Sequence, residues 1–195
     1  MNKTNDLVYS DNLCSAYLSA IVKAFEAHHP NTYLGRTAIQ KLTYFTKVLG
    51  APIPCSFGIY TYGPYSDKVT FAVESLLADD VIEDQSTNPK YSNYKSARNS
   101  EAILSEFADK LRPYEDHINR AVKALGAFPP KDLELIATLH FIAKRLAEVT
   151  RIKPSKTAVR HEFKLIKQDK FNDTEINNWY DALVQAGLIE AAEHG

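Results

Sequence analysis

Residues 57–68 read FGIYTYGPYSDK, a stretch that combines three tyrosines with a single Gly-Pro step. Its first six residues are aromatic or β-branched apart from one glycine, a composition typical of a β-strand. Because Pro64 disfavours the α conformation at Gly63, we expect the strand to end there and the chain to turn. Ser66 is the predicted N-cap of the helix that follows.

The segments on either side of this stretch have clear periodic patterns. Upstream, apolar residues at helical spacing predict helices over 11–28 and 36–49. Downstream, the third helix is followed by two strand-like runs, VIEDQ at 81–85 and YSNYK at 91–95, separated by a polar tip. Helix, helix, strand, helix and hairpin is the element order of a winged-helix domain.

The second half of the chain is predicted to be helical. Its helices are expected over 101–125, interrupted at Pro113, and over 132–150, 155–168 and 173–186. The helix-breaking segment GAFPPKD at 126–132, with one glycine and two prolines, is the best candidate for a boundary between sub-domains. We therefore predict a mainly α chain with a small β component (α+β). A winged-helix-like N-terminal region over 1–125 packs with a C-terminal helical bundle over 126–195, and together they form one compact unit.

Composition indicates an ordinary globular protein, with 45% hydrophobic and 24% charged residues and a net charge of −1. Cys14 and Cys55 lie far apart in the sequence without metal-ligand spacing, which favours a reducing, cytoplasmic compartment. The N-terminal residues lack the apolar core of a signal peptide, and no apolar run approaches the roughly 18 residues of a membrane span.

The sequence contains none of the motifs that would identify an enzyme. The histidines do not form a metal-binding pattern, and there is no Walker A, G-x-G-x-x-G or G-x-S-x-G motif. Seven glycines leave little material for a phosphate-binding loop. We therefore predict a protein without catalytic residues, metal ligands or cofactors, and a buried, hydrogen-bonded His140.

A first candidate binding surface combines the polar side of the second helix with the tyrosine corner. No acid occurs between residues 35 and 50. Aromatic and arginine side chains are enriched among interface anchors, so this patch is a candidate protein-binding surface. In the structural alternative the rings pack over helices, which is favoured for Tyr62 and evenly balanced for the other two tyrosines. The predicted partner-binding residues are Arg36, Gln40, Thr43, Lys47, Tyr60 and Tyr65.

A second candidate surface is a basic row on the helix predicted over 155–168. Its members, Lys156, Arg160, Lys164 and Lys167, recur at spacings of four, four and three. Such a row can follow phosphates of a nucleic acid. The alternative is a solvated amphipathic face, and residues 171–195 supply five acids and no Lys or Arg that can neutralise it.

Three segments carry a family resemblance: GRTAIQKLTYFTKVLG at 35–50, FGIYTYGPYSDKV at 57–69 and LLADDVIED at 76–84. In this order they resemble the N-terminal region of the YwgA-type family of uncharacterised bacterial and archaeal proteins. More distantly they resemble the Panacea (SocA-like) antitoxin domain, in which a Trp-Lys pair commonly precedes Tyr-Gly-Pro; here 59–61 read Ile-Tyr-Thr.

The resemblance implies a small α-rich domain with a winged-helix-like strand pair and no established catalytic activity. Panacea-type domains are associated with neutralising toxins by direct protein contact. We therefore expect a cytoplasmic, antitoxin-like or defence-associated module that binds a protein partner, such as a toxin or defence component. A DNA- or RNA-binding regulator that uses the basic helix is the alternative. Homodimer formation stays open, and no membrane partner is expected.

Overall fold

The computed structural model describes residues 7–190, which are mostly helical with two small antiparallel sheets of two strands each. Helices account for 62% of the residues, so the predicted α+β class is confirmed. The chain divides into two compact units. The first comprises the residues up to Gly58 and Tyr65–Pro129, and the second comprises Ile59–Pro64 and the residues from Pro130 onward.

The first unit is built around α1, which packs on α3 and α6. Its helices are α1 (Leu13–His28), α2 (Arg36–Val48), α3 (Asp67–Ala78), α4 (Ser100–Glu106), α5 (Ala108–Leu111) and α6 (Glu115–Leu125), with a 3-10 turn at Arg112–Tyr114. The N-cap of α1 is Asn12, whose side chain accepts a hydrogen bond from the backbone of Ser15. The predicted interruption at Pro113 is confirmed, and the chain breaks once more at Phe107.

The strand prediction for 57–62 is partly wrong. Strand β1 covers only Gly58–Tyr60, and a two-residue turn leads into β2 (Gly63–Tyr65), which pairs back with β1. Gly63 has a φ of 86°, a left-handed conformation that favours glycine. The Gly-Pro step therefore begins a second strand, and α3 starts only after it.

The second hairpin, predicted from two strand-like runs with a polar tip between them, is confirmed by the structure. Strands β3 (Ile82–Asp84) and β4 (Tyr94–Ser96) are antiparallel, with Ile82 opposite Ser96. Asp80 precedes β3 with a φ of 56°, which ends α3 and redirects the chain.

The second unit has the long helix α7 (Pro130–Thr150) at its centre, packed against α8 (Lys156–Lys167) and α9 (Asp173–Gln185). Every residue of α7 from Leu133 to His140 is buried, which fits the predicted apolar character over most of its circumference. A capping box at Asn172 and Glu175 starts α9. Over residues 7–190, no helix is long and apolar enough to cross a membrane.

Candidate functional site: the tyrosine turn

Residues 59–64, here called the tyrosine turn, present two tyrosine rings to solvent from the second unit. Tyr60 is 55% exposed and Tyr62 is 60% exposed, whereas Gly63 and Pro64 are buried. The structure therefore disagrees with the interpretation that Tyr62 is the more structural of the pair. Tyr60 is the last residue of β1, and Tyr62 lies in the two-residue turn that follows it.

A buried ion pair holds the turn from below. Lys167 of α8 and Glu134 of α7 have side chains that are only 3% and 4% exposed, with 2.9 Å between Nζ and Oε1. The Lys167 ammonium also donates a hydrogen bond of 2.5 Å to the backbone carbonyl of Thr61, at the centre of the turn. The carbonyl is thus fixed by a side chain that is itself fixed by a carboxylate.

Lys170 completes the cluster at its solvent edge. Its Nζ donates to both oxygens of Glu134, at 2.9 and 2.8 Å. The same ammonium lies 5.1 Å from the centre of the Tyr62 ring, within the range of a cation–π interaction. One carboxylate therefore serves two ammonium groups, and each of them contacts the turn.

This arrangement is costly to build, because charges lose several kcal/mol of hydration when they are buried. A hydrophobic pair would often be equally stable or more so at the same place. The cluster of Glu134, Lys167 and Lys170 contains two cations and one anion, so it carries a formal charge of +1. The buried pair of Glu134 and Lys167 fixes the position of the Thr61 carbonyl, and the additional positive charge of Lys170 lies beside the exposed ring of Tyr62.

The polar side chains predicted to face solvent from α2 mostly form hydrogen bonds inside the first unit. Gln40 is buried; its Nε2 donates to the carbonyl of Ser66 at 3.0 Å, and its Oε1 accepts the Ser66 backbone N–H at the same distance. Thr43 is also buried and donates to the carbonyl of Ile39 at 2.7 Å. The reason is that α2 is buried on all sides from Ala38 to Thr46, so this side of the helix does not reach solvent.

The other three predicted residues of the first unit are each engaged locally. Lys47 donates to the carbonyls of Ile53 and Cys55, at 2.9 and 2.6 Å. The hydroxyl groups of Tyr65 and Thr70 are hydrogen-bonded at 2.7 Å. Arg36 is exposed, and its Nε donates to Ser92 Oγ at 3.0 Å. Of the six predicted partner-binding residues, Tyr60 is the one that the structure places on the tyrosine turn.

All four residues of the predicted basic row have acidic partners within the second unit. Lys156 lies 2.6 Å from Asp181, and Arg160 and Lys164 both pair with Asp173. Lys167 faces the interior and pairs with Glu134, as described above. The acids following residue 171 thus meet the basic row, which leaves less unbalanced positive charge than the sequence of α8 alone indicates.

Sequence reasoning missed the roles of Glu134 and Lys170, although two indications were present. Glu134 is the one acid in the apolar run LELIATLHF at 133–141. Lys167 belongs to the basic row, but it also lies four positions after Phe163, which itself lies four positions after Val159. Because Val159 and Phe163 are buried in α8, this spacing places Lys167 on the buried side of the helix. An acid and a base that both fall on apolar faces are candidates for a buried pair, since an unpaired buried charge is rarely tolerated.

Within residues 7–190, no group of three or more His, Cys, Asp or Glu side chains is arranged to hold a metal ion. No protein-family model matches the chain, and no curated protein matches it either. The resemblance of residues 35–84 to the YwgA-type family and to the Panacea domain therefore stays a prediction.

Proposed function

We propose that this protein is a non-enzymatic interaction module that binds another protein through the tyrosine turn. The observation that carries the proposal is the buried pair of Glu134 and Lys167, which fixes the Thr61 carbonyl between two exposed tyrosine rings. Tyrosines supply large contact areas with few rotatable bonds, which is why they are enriched among interface anchors. A turn fixed before binding loses little conformational entropy on binding.

The chemistry beside the rings indicates the kind of partner. The surplus cation of the cluster, Lys170, is 41% exposed and lies against the Tyr62 ring. A complementary surface would have an apolar pocket for the rings and carboxylates at its edge. The proposed partner is therefore a protein with an acidic-rimmed apolar patch.

The resemblance to the Panacea domain supports a narrower version of this proposal. By that analogy the partner is a toxin or a defence component, and the module regulates it by direct contact in the cytoplasm. Of the three segments that carry the analogy, 57–69 contains the tyrosine turn, and the other two lie in the first unit. The identity of the partner and the use of the turn are therefore tested separately.

The test begins with co-expression of the tagged chain with the products of neighbouring genes, followed by affinity capture and mass spectrometry. The captured protein is then purified, and its affinity is measured for the wild type and for the double variant Tyr60→Ala, Tyr62→Ala. We expect the variant to stay folded, with a melting temperature lowered by only about 2–4 °C through loss of the Tyr62–Lys170 contact, and to bind at least about tenfold more weakly, since hot-spot tyrosines contribute about 2 kcal/mol or more.

The matched control removes two other tyrosines of equal or greater exposure. Tyr33 is 76% exposed and Tyr91 is 66% exposed, and both lie in the first unit. The variant Tyr33→Ala, Tyr91→Ala is expected to bind as the wild type does. Full affinity in the tyrosine-turn variant, or a loss confined to the control, would refute the proposed site.

The nucleic-acid alternative uses the basic row of α8 and makes a different prediction. Binding to phosphates weakens steeply between about 50 and 200 mM salt, and charge reversal at Arg160 and Lys164 would abolish it. The observed pairing of these residues with Asp173 favours the protein-binding proposal. Steeply salt-dependent binding to DNA or RNA that is lost on that charge reversal would favour the alternative instead.

A further inference from the structure

The two cysteines, which are 41 positions apart in the sequence, meet in the interior of the first unit. The Sγ atoms of Cys14 and Cys55 lie 2.6 Å apart, and both are free thiols. A disulfide bond measures about 2.05 Å, so the sulfur atoms would have to approach by only about 0.6 Å. This proximity was not predictable from a sequence that shows neither a C-x-x-C motif nor metal-ligand spacing.

Two lysines surround the segment that contains Cys55. Lys47 Nζ donates to the carbonyls of Ile53 and Cys55, and Lys68 Nζ lies 3.4 Å from the carbonyl of Pro54. Both ammonium groups are therefore held at the backbone of the residues next to the thiol. Positive charge near a cysteine favours its thiolate, which is the reactive form.

The two thiols differ in their tendency to ionise. The hydrogen bond from Cys14 lowers the pKa of Cys55 and outweighs burial, and the charges of Lys47 and Lys68 act in the same direction. The hydrogen bond with Cys55 raises the pKa of Cys14, as does burial. Lys47 and Lys68 lower the pKa of both thiols, and either sulfur can donate in the hydrogen bond between them. We assign the thiolate to Cys55 because both ammonium groups are held at the backbone of its segment.

We propose that Cys14 and Cys55 form a reversible dithiol site that is oxidised to a disulfide by peroxides. Cys55 is 0% exposed, so the first step requires local opening of its segment to admit hydrogen peroxide. The Cys55 thiolate then attacks one peroxide oxygen, the O–O bond breaks, and the departing hydroxide takes up a proton to become water. Cys55 is then a sulfenic acid. In the second step the Cys14 sulfur attacks the Cys55 sulfur and expels a second water, which carries the Cys14 proton.

In the overall reaction, two thiols and one molecule of hydrogen peroxide are converted to one disulfide and two molecules of water. Each sulfur loses one electron, and the peroxide gains two. A thiol reductant reverses the change by thiol–disulfide exchange. The product would link the first turn of α1 to the segment between α2 and β1, so it would constrain the unfolded chain and stabilise the fold.

The experiment uses the full chain, reduced and then freed of reductant, at a temperature well below its unfolding transition. Hydrogen peroxide is added, and intact mass is followed with and without iodoacetamide. We expect a loss of about 2 Da, disappearance of both alkylatable thiols, a monomer on a non-reducing gel, and recovery of the original mass with dithiothreitol. We also expect the melting temperature of the oxidised protein to rise by about 10 °C.

Two single variants test the assigned order of attack. In Cys14→Ser the sulfenic acid on Cys55 has no partner, so dimedone should label Cys55. In Cys55→Ser the remaining Cys14 should be labelled at least about tenfold more slowly. Faster labelling of Cys14 would reverse the assignment. Unchanged thiols in the peroxide-treated wild type, or only disulfide-linked dimers, would overturn the site itself.

A lysine variant tests the role of the surrounding charge. In a Cys14→Ser background, Lys68→Met should slow dimedone labelling of Cys55, because one of the two cations is removed. Lys123→Met, which removes an exposed lysine of α6, is the matched control and should leave the rate unchanged. Equal rates in the two lysine variants would contradict the proposed activation by Lys68.

Discussion

The two described hairpins of this protein have strands of three residues each but are held in different ways. The tyrosine turn is fixed by Lys167, which is 106 positions away from Thr61 in the sequence and buried beside Glu134. The tip of the turn between β3 and β4 is held by hydrogen bonds between near neighbours, whereas its end, at Ser92 and Asn93, is bonded to the distant residues Arg36 and Leu34. Asp84 accepts hydrogen bonds from the backbone of Ser86 at 3.0 Å and of Asn93 at 2.8 Å.

The difference concerns how firmly each turn is positioned. Bonds between near neighbours in an exposed loop compete with water, and they stabilise a local shape at little cost. A bond from a buried ammonium group is shielded from water and is lost only if the charged cluster opens. Both turns display an exposed tyrosine, but of the two only the tyrosine turn is anchored by a buried charged pair, which supports its assignment as the binding surface.

The largest expected effect comes from removing the shared carboxylate. Glu134→Ala leaves the Lys167 ammonium buried without its counter-ion, so we expect the free energy of unfolding to fall by about 3–5 kcal/mol. Urea denaturation measures it. The matched change at the other hairpin, Asp84→Ala, should cost about 1 kcal/mol because the carboxylate is exposed. Equal losses in the two variants would remove the distinction between the hairpins.

A pH titration tests the interior of the second unit, at a residue of α7 that lies outside both hairpins. Burial, together with the charge of Lys144, lowers the pKa of His140 on α7 to about 4. The pKa is depressed in the folded state, so stability is complete above the unfolded value of about 6.5 and is lost as pH falls toward 4.

The difference between the unfolded and the folded pKa of His140 corresponds to about 3 kcal/mol of unfolding free energy. The non-titrating variant His140→Gln should lack this component, so the gap in unfolding free energy between wild type and variant should narrow by about 3 kcal/mol from pH 7 to pH 4. A constant gap across this range would show that His140 is protonated as easily in the folded protein as in the unfolded chain.

A smaller effect is expected at the edge of the cluster. Lys170→Met keeps an aliphatic chain over the Tyr62 ring but removes the ammonium, so both the cation–π contact and one of the two ion pairs of Glu134 should be lost, at a cost of about 1–2 kcal/mol. Lys170→Arg should retain most of this stabilisation. Thermal melting of both variants compares them, and a methionine variant as stable as the arginine variant would mean that Lys170 contributes no electrostatic stabilisation.

The smallest effect is confined to the β3–β4 turn. Burial opposes ionisation of Asp84, but hydrogen bonds from Asn93, Ser86 and Ser92 and the charge of Arg36 hold its pKa below the usual range. The contribution of its carboxylate is therefore present above about pH 3.9 and is lost as pH falls through the lowered pKa. Amide protection of Ser86 and Asn93, corrected for intrinsic exchange, should decrease there. Unchanged protection would show that the carboxylate does not hold this turn.

The sequence predicted the elements well where a local pattern determines them. The apolar stripe of Val69, Val73 and Leu76 predicts α3, and these residues are buried. Pro113 interrupts a helix as predicted, because the backbone preference of proline is a local property. The hairpin at 57–65 was mistaken for one strand, because Gly63 serves equally well to end a strand and to begin one at a positive φ.

The candidate site was less predictable, because it depends on contacts between distant residues. The tyrosines were recognisable from FGIYTYGPYSDK, but the exposure of Tyr62 depends on the packing of helices that begin 65 or more positions later. Gln40 and Thr43 appeared to be surface residues because polarity alone does not distinguish a solvated side chain from one bonded to backbone inside the core. Lys167 was assigned to the wrong face for the same reason.

The most direct test of the claim that the tyrosine turn is rigidly presented is the backbone amide order parameter, measured by NMR relaxation in both turns. We predict values near about 0.85 for residues 60–62 and lower values for residues 86–88, because only the first turn is anchored by a buried charge. In Lys167→Met the values for residues 60–62 should fall toward those of the other turn. Equal mobility of the two turns in the wild type, or an unchanged tyrosine turn in that variant, would contradict the claim.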